Sequence, residues 1–382
     1  MQTVALSWLA LVLSNSPLQV GLVTTAGAAP VLLFTLYGGM IADRVNRRRA
    51  LLILQALLLL EALALGLLTA LGLITMPLVY VLAASAGLIS AFEIPIRQSW
   101  LVELVGKGDL MNAIALNSTA FNLSRVIGPA IAGTLIATLG TAACFFLNAA
   151  SFLAVLIGLF LITPDPALRR GGQSKARLKD GIAHVLGNPW PKALVILTAV
   201  LNTFGSSFIA ILPVYARYVL RAGAGGYGAL MSFFGLGAAA SAISIAAVGH
   251  QFRRERTAVT AGIAMGASLV VLSFVHVLGF ALVLMLCAGL SLASTAIMTN
   301  TLLQTEAPDH LRGQVMGFYS FIVVGMAPFG SLQAGWIAEH AGTGVALQLG
   351  GGICLVVASA IAWRMLRRPP AVPSPAGQGE VP

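Results

Sequence analysis

Charge is what this chain has least of. Only 9% of its 382 residues are Asp, Glu, Lys or Arg, against 58% hydrophobic, where soluble domains carry about 25% charged residues. A water-facing surface cannot be built from so little, which excludes a soluble domain of useful size. Cysteine is as sparse: Cys144, Cys287 and Cys354 all lie in apolar runs without metal-ligand spacing, and they read as small packing residues. His184, His250, His276, His310 and His340 are scattered near run ends, so neither a metal centre nor a triad is assembled. A phosphate-binding P-loop is lacking, which excludes ATP hydrolysis by this chain, and no cofactor is implied. Gly223 to Gly228 spells G-x-G-x-x-G but follows an apolar run rather than a strand, as a flexible hairpin does.

What is abundant is apolar sequence in lengths that cross a bilayer, roughly 20 residues each. Twelve runs are delimited by charges, Pro and Gly: Met1–Leu13, Leu18–Ile41, Ala50–Leu73, Leu78–Ile94, Leu110–Leu139, Ala142–Ile162, Ala193–Leu220, Tyr227–Val248, Thr257–Val277, Phe280–Leu302, Gln314–Ala338 and Val345–Leu366. All read as helices, because backbone in lipid must satisfy its hydrogen bonds internally and the period-2 alternation of a barrel is absent. The expected fold is therefore all-α and integral to the membrane, with twelve spans. The first run covers only about 20 Å of a core about 30 Å thick, so it is expected to be a shortened helix, with an upstream start adding about ten residues. No basic region precedes it as in a signal peptide.

Basic residues give the orientation. All of the 22 except Arg125, Arg217 and Arg221 follow even-numbered runs, which places those loops and the C-terminus in the cytoplasm by the positive-inside rule. The net charge of +10 is thus a topology signal and a contact with lipid headgroups, with no nucleic-acid partner. A duplication is also visible. Gly133, Gly140 and Asp109 recur near an offset of 200 as Gly335, Gly342 and Asp309, across the one long polar connection. The expected organisation is a six-helix bundle over residues 1–162, a cytoplasmic linker over 163–192, a second bundle over 193–368 and a Pro-rich disordered tail over 369–382.

Between the second and third runs stands Gly39-x-x-x-Asp43-Arg44-x-x-Arg47-Arg48. It resembles the signature loop of the major facilitator superfamily, with Asn46 where that pattern has Gly. A weaker echo, Gly249-x-x-x-Arg253-Arg254, follows run 8 without the acid. "FEIPIRQSWLVELV", "NLSRVIGPAIAG", "GGYGALMSFFGLGA" and "LLQTEAPDHLRGQVMG" resemble the exporter branch that includes enterobactin exporters and macrolide efflux proteins. The resemblance runs from the first run to the twelfth.

That resemblance implies a gate. Asp43 is expected to dock on the N-terminus of run 11 near Gly313 and Gln314, where free N–H groups and the helix dipole favour an anion. Arg44 or Arg47 would pair with Glu93 or Glu103, and Arg253 and Arg254 would lie near Asp109. Arg48 and Arg49 are better read as topogenic. Three charges stand out for proton coupling, since an ionisable group at mid-bilayer is costly: Glu93 on run 4, which borders the cavity in this fold, Glu61 on run 3, and Arg125. Arg125 shares a stripe with Asn117, ahead of Gly128-Pro129, which with Gly133 suits close helix packing. Candidate cavity residues are Asn202 and Ser206 on run 7 and Ser291, Ser294, Thr295 and Thr299 on one face of run 10.

The reading that follows is a secondary transporter, not an enzyme: a monomer in a bacterial cytoplasmic membrane that exports an amphiphilic small molecule, a drug, macrolide or siderophore, in exchange for protons. An importer on the same fold would carry more cavity charge for a polar nutrient. A non-transporting sensor or assembly module need not keep the loop at Gly39 to Arg48.

Overall fold

The computed structural model describes residues 1–42, 45–105, 110–162, 178–308 and 311–367. Among them every regular element is helical. In chain order they are α1 (Gln2–Ser14), α2 (Pro17–Ala42), α3 (Arg47–Ala70), α4 (Met76–Val105), α5 (Leu110–Leu139), α6 (Thr141–Leu161), α7 (Leu178–Gly187), α8 (Pro189–Val200), α9 (Phe208–Val214), α10 (Gly223–Val248), α11 (Arg254–Leu272), α12 (Leu278–Glu306), α13 (Arg312–Gly325), α14 (Ala327–Ala341) and α15 (Thr343–Arg367). Ten described helical segments are long and apolar enough to cross a membrane, and two apolar helices are shorter, Gln2–Ser14 and Leu123–Leu139.

The expected run 7 is a single 31-residue span, Pro189–Val219, that joins α8 and α9 and contains two π-helical turns, Leu201–Gly205 and Tyr215–Val219. Run 11 is α13 followed by α14, which restarts with Pro328 in its first turn, as a residue without a backbone N–H allows. Both irregularities escape hydropathy, which measures greasiness and not hydrogen-bond register. Asn46, the departure from the signature pattern, is the N-cap of α3, and its Oδ1 accepts from the Arg49 backbone N–H at 3.1 Å.

Within the first six helices α2 packs on α4, and α3 packs on both α4 and α6. From α8 onward α10 packs on α12, and α11 packs on α12 and α15. Two broad contacts join these groups, α5 on α10 and α2 on α14. Each is built on a glycine pair at backbone contact. A Cβ added to Gly133 would lie 2.7 Å from the Gly228 Cα, and one added to Gly335 would lie 3.2 Å from the Gly21 Cα. Gly133 and Gly335 are the two glycines singled out as repeats, and their companions Gly140 and Gly342 share a left-handed backbone, φ 83° and 88°.

Small-residue contacts of this kind stand in for hydrophobic burial between helices in lipid. Gly133→Leu or Gly335→Leu is therefore expected to halve, at least, the yield of folded, monodisperse protein in detergent. Gly158→Leu, whose added side chain meets nothing within 4 Å at Cβ, should leave the yield unchanged. Size-exclusion profiles of the three variants decide this.

Candidate transport site and gates

The two ends of the helix array differ. Among the described residues one carries most of the arginines, and the other carries Arg217 and Arg221. At the arginine-poor end the two groups of helices are joined by side chains. Ser16 Oγ donates to Glu339 Oε2 at 2.7 Å and Tyr218 Oη donates to Asn15 Oδ1 at 2.9 Å. Trp8 stacks on Tyr227 with centroids 6.2 Å apart. Deeper along the same seam the hydroxyls of Thr25 and Ser331 lie 3.0 Å apart.

The seam between α5 and α10 changes character along its length. It is tight at Gly133–Gly228, and still tight where a Cβ on Gly235 would lie 2.5 Å from the Arg125 carbonyl oxygen. Gly128 and Pro129 are buried beside it. Further toward the arginine-rich end Asn117, Ser124 and Arg125, which share one face of α5, are exposed. A polar, accessible stripe on a membrane helix marks a water-filled space rather than a lipid face.

The hydroxyl face of α12 is spent on its neighbours. Ser294 Oγ lies 2.7 Å from Ser241 Oγ on α10, Thr295 Oγ1 donates to the Ala258 carbonyl on α11 at 3.1 Å, and Thr299 Oγ1 accepts from Thr198 Oγ1 on α8 at 3.5 Å. Ser291, Ser294, Thr295 and Thr299 are all at most 6% exposed. The expectation that they line a cavity is corrected for this conformation: period 3.6 identifies a shared face but not what the face meets. Asn202 and Ser206 remain half-buried at the first π turn, where Asn202 Nδ2 donates to the Thr198 carbonyl at 2.9 Å and Ser206 Oγ to the Asn202 carbonyl at 2.7 Å. π turns inside helices gather at functional positions.

The buried acids face unexpected partners. Glu61 is buried on α3 and both its oxygens accept from Gln2 Nε2 on α1, at 2.9 and 2.8 Å; Gln2 Oε1 in turn accepts from Asn148 Nδ2 on α6 at 2.5 Å. Glu93, expected to turn toward the interface between the halves, instead accepts from Arg97 Nε at 2.8 Å and from Gln55 Nε2 on α3 at 3.3 Å. Gln55 Oε1 is buried there with no hydrogen-bond partner. Gln2, Gln55 and Asn148 were legible only as amides inside apolar runs.

Of the gate residues, Asp43, Arg44 and Asp109 lie outside the described residues. Arg48 donates from Nε to the Leu159 carbonyl at 3.1 Å and from Nη2 to the Phe160 carbonyl at 2.9 Å, so it caps the C-terminus of α6 rather than serving topology alone. Arg47 is half-buried. Arg253 is the N-cap residue of α11, and Arg254 Nη1 donates to Thr305 Oγ1 at the end of α12, 2.7 Å away. Gly39 has open space at its Cβ position, whereas Gly38 sits against the Ala91 carbonyl, so the close approach to α4 belongs to Gly38.

Known proteins resemble this chain in sequence and in fold. A family model described as transmembrane secretion effector matches residues 1–373. The multidrug efflux pump Tap of Mycolicibacterium fortuitum is 29% identical over 351 residues, covering 89% of this chain and 85% of its own. The enterobactin exporter EntS of Citrobacter koseri is 25% identical, covering 94% and 88%, and the staphyloferrin A transporter of Staphylococcus aureus is 25% identical, covering 86% and 83%. Among solved structures the nucleoside transporter NupG superposes with a TM-score of 0.75 at 11% identity, covering 96% of this chain and 97% of that one. A bacterial homologue of the lysosomal transporter Spinster, inward-facing and unoccupied, gives 0.73 at 13%, covering 96% and 94%. Its all-helical array, its multiple membrane spans and these matches make the chain a membrane transporter and not an enzyme: it belongs to the transmembrane secretion effector family of the major facilitator superfamily.

Proposed function

We propose that the chain is a proton-driven exporter of an amphiphilic small molecule, a drug, macrolide or siderophore, working by alternating access. Twelve helices, the first shortened, form two pseudo-symmetric halves over 1–162 and 193–368, with 163–192 as a cytoplasmic linker and the C-terminus in the cytoplasm of a bacterial inner membrane. The protein acts as a monomer. The observation that carries this reading is the contrast between the two ends. The arginine-poor end is held shut by bonds between the halves, while the arginine-rich end exposes Asn117, Ser124 and Arg125 on α5. Positive-inside orientation makes the second end cytoplasmic, so the conformation is open to the cell interior, where an export substrate loads.

An amphiphilic rather than strongly charged substrate follows from the composition of the site. Asn202 and Ser206 at the π turn and the amide and hydroxyl groups of α5 offer hydrogen bonds, and half-buried Phe204 beside them offers apolar surface. Arg125 is the one cation in that stripe. The relatives named as multidrug, enterobactin and staphyloferrin A transporters favour export over the importer reading.

The test is efflux from reconstituted vesicles with an imposed pH gradient, using ethidium, a macrolide and a catecholate siderophore as probes. Gradient-dependent movement of at least one probe, lost on adding a protonophore and indifferent to ATP, is the expected result. Movement that persists without a gradient overturns proton coupling. Movement of none of the three, with the protein folded, overturns the substrate class. Asn202→Ala should weaken the apparent affinity for the transported probe about three- to tenfold through loss of one hydrogen bond to it, read as a rise in KM at unchanged protein level.

A further inference from the structure

Glu339 lies in the last turn of α14, the wrong end of its own helix for a carboxylate, since the helix dipole favours cations there. Its side chain crosses instead to the start of α2. Glu339 Oε2 accepts from Ser16 Oγ at 2.7 Å and from the Leu18 backbone N–H at 3.3 Å, while Ser16 Oγ itself accepts from the Gln19 N–H at 3.2 Å. Of the opening N–H groups of α2, which have no partner within the helix, that of Leu18 is thus satisfied by a carboxylate from the other half of the molecule, and that of Gln19 by the serine this carboxylate holds.

The contact is the open end of a ladder. On α14 the residues Glu339, Gly335 and Ser331 recur every fourth position and so share one face. They meet Leu18, Gly21 and Thr25 of α2 in that order, through the hydrogen bond, the glycine pair and the hydroxyl pair. Any rotation that parts the halves at the arginine-poor end breaks the Glu339 bonds first. The repeat has no equivalent on the other seam: four residues after Gly133, where the second half has Glu339, the first half has Ala137.

We propose that Glu339, acting through Ser16 as an inter-half helix cap, is the latch that holds the arginine-poor end of the transporter closed. This rests on the alternating-access reading but not on the identity of substrate or coupling ion. Removing a cap and its charge–dipole attraction is expected to shift the open-to-closed ratio at that end about five- to tenfold.

The experiment places spin labels at Leu73 and Val277, exposed residues in the α3–α4 and α11–α12 connections, after Cys144, Cys287 and Cys354 are replaced by Ala. Pulsed dipolar spectroscopy on purified protein, without substrate or gradient, then reads the separation of the two halves at this end. Glu339→Gln, Glu339→Ala and Ser16→Ala are each expected to enlarge the long-distance population, and Glu339→Ala with Ser16→Ala should do no more than the larger single change. An unchanged distribution in Glu339→Ala, with the protein monodisperse and its melting temperature intact, overturns the latch. So do additive effects of Glu339→Ala and Ser16→Ala, which would make them separate supports. Because no transport is measured, failure of the export reading in vesicles leaves this result independent.

Discussion

Glu61→Gln is expected to abolish uphill export while leaving the carrier folded and still able to exchange substrate across the membrane. In vesicles, accumulation driven by a pH gradient should fall at least tenfold, to the passive level, while exchange of labelled for unlabelled substrate stays within about twofold of the parent. The reason lies in what each acid is bonded to. Glu61 is held by the amide of Gln2, a group with both N–H donors and a carbonyl acceptor, so a turn of that amide suits the carboxyl with or without its proton. Glu93 is held by Arg97, whose guanidinium only donates and matches the carboxylate alone. Sequence position favoured Glu93, because run 4 borders the cavity in this fold and run 3 does not. The structure gives Glu61 the contact with α1, however, and turns Glu93 back toward Gln55 on α3.

Glu93→Gln is accordingly expected to impair exchange and accumulation together, by a few-fold, as loss of a positioning contact does. Proton-driven accumulation by Glu61→Gln at the parent's level would remove Glu61 from the mechanism. Selective loss of accumulation in Glu93→Gln would restore the order that helix position suggested.

Most of the helical architecture was legible because run length and charge placement are one-dimensional quantities. A stretch too apolar for water and about 20 residues long has one stable form in lipid. The same holds for Gly133 and Gly335, which sit at equivalent points of a repeat and each lie at a backbone contact between the halves, one on each seam. What the sequence could not show was which neighbour each polar side chain meets. Ser294 and Thr295 share a face with Thr299 by spacing alone, yet that face is used up by α8, α10 and α11. Arg48 looked like a topogenic charge, and only the fold brings the end of α6 within its reach. Glu339 stands just past the end of the eleventh run. The signal available was its position, four residues beyond a repeat glycine and against its own helix dipole.

Asp43→Asn is expected to cut export at least tenfold while leaving the amount of protein in the membrane unchanged. Asp43 lies outside the described residues; its proposed partner is the start of α13. α13 begins at Arg312, and its first turn contains no acid. Gln314 in that turn is buried, with the linker helix α7 against it at Gly181. A helix start of this kind favours an anion brought from elsewhere, by about 0.3–1 kcal/mol when exposed and up to about 2 kcal/mol when partly buried. Asparagine keeps the shape and the hydrogen-bonding oxygen but drops the charge, so any loss reports the electrostatic part. A shift of about 1.4 kcal/mol changes the ratio of the two conformations tenfold, and a carrier held in one of them turns over correspondingly less.

The same two runs of sequence, the second and the eleventh, then carry both acids: Asp43 just after α2, with the start of α13 as its proposed partner, and Glu339 on α14, bonded to the start of α2. If each holds its own end closed, the two substitutions bias the cycle in opposite directions. Asp43→Asn combined with Glu339→Gln should therefore export better than Asp43→Asn alone, even though it contains one more defect. Export by the double variant at or below the level of the single one would show that the two acids do not oppose each other, and normal export by Asp43→Asn would remove the cytoplasmic latch altogether.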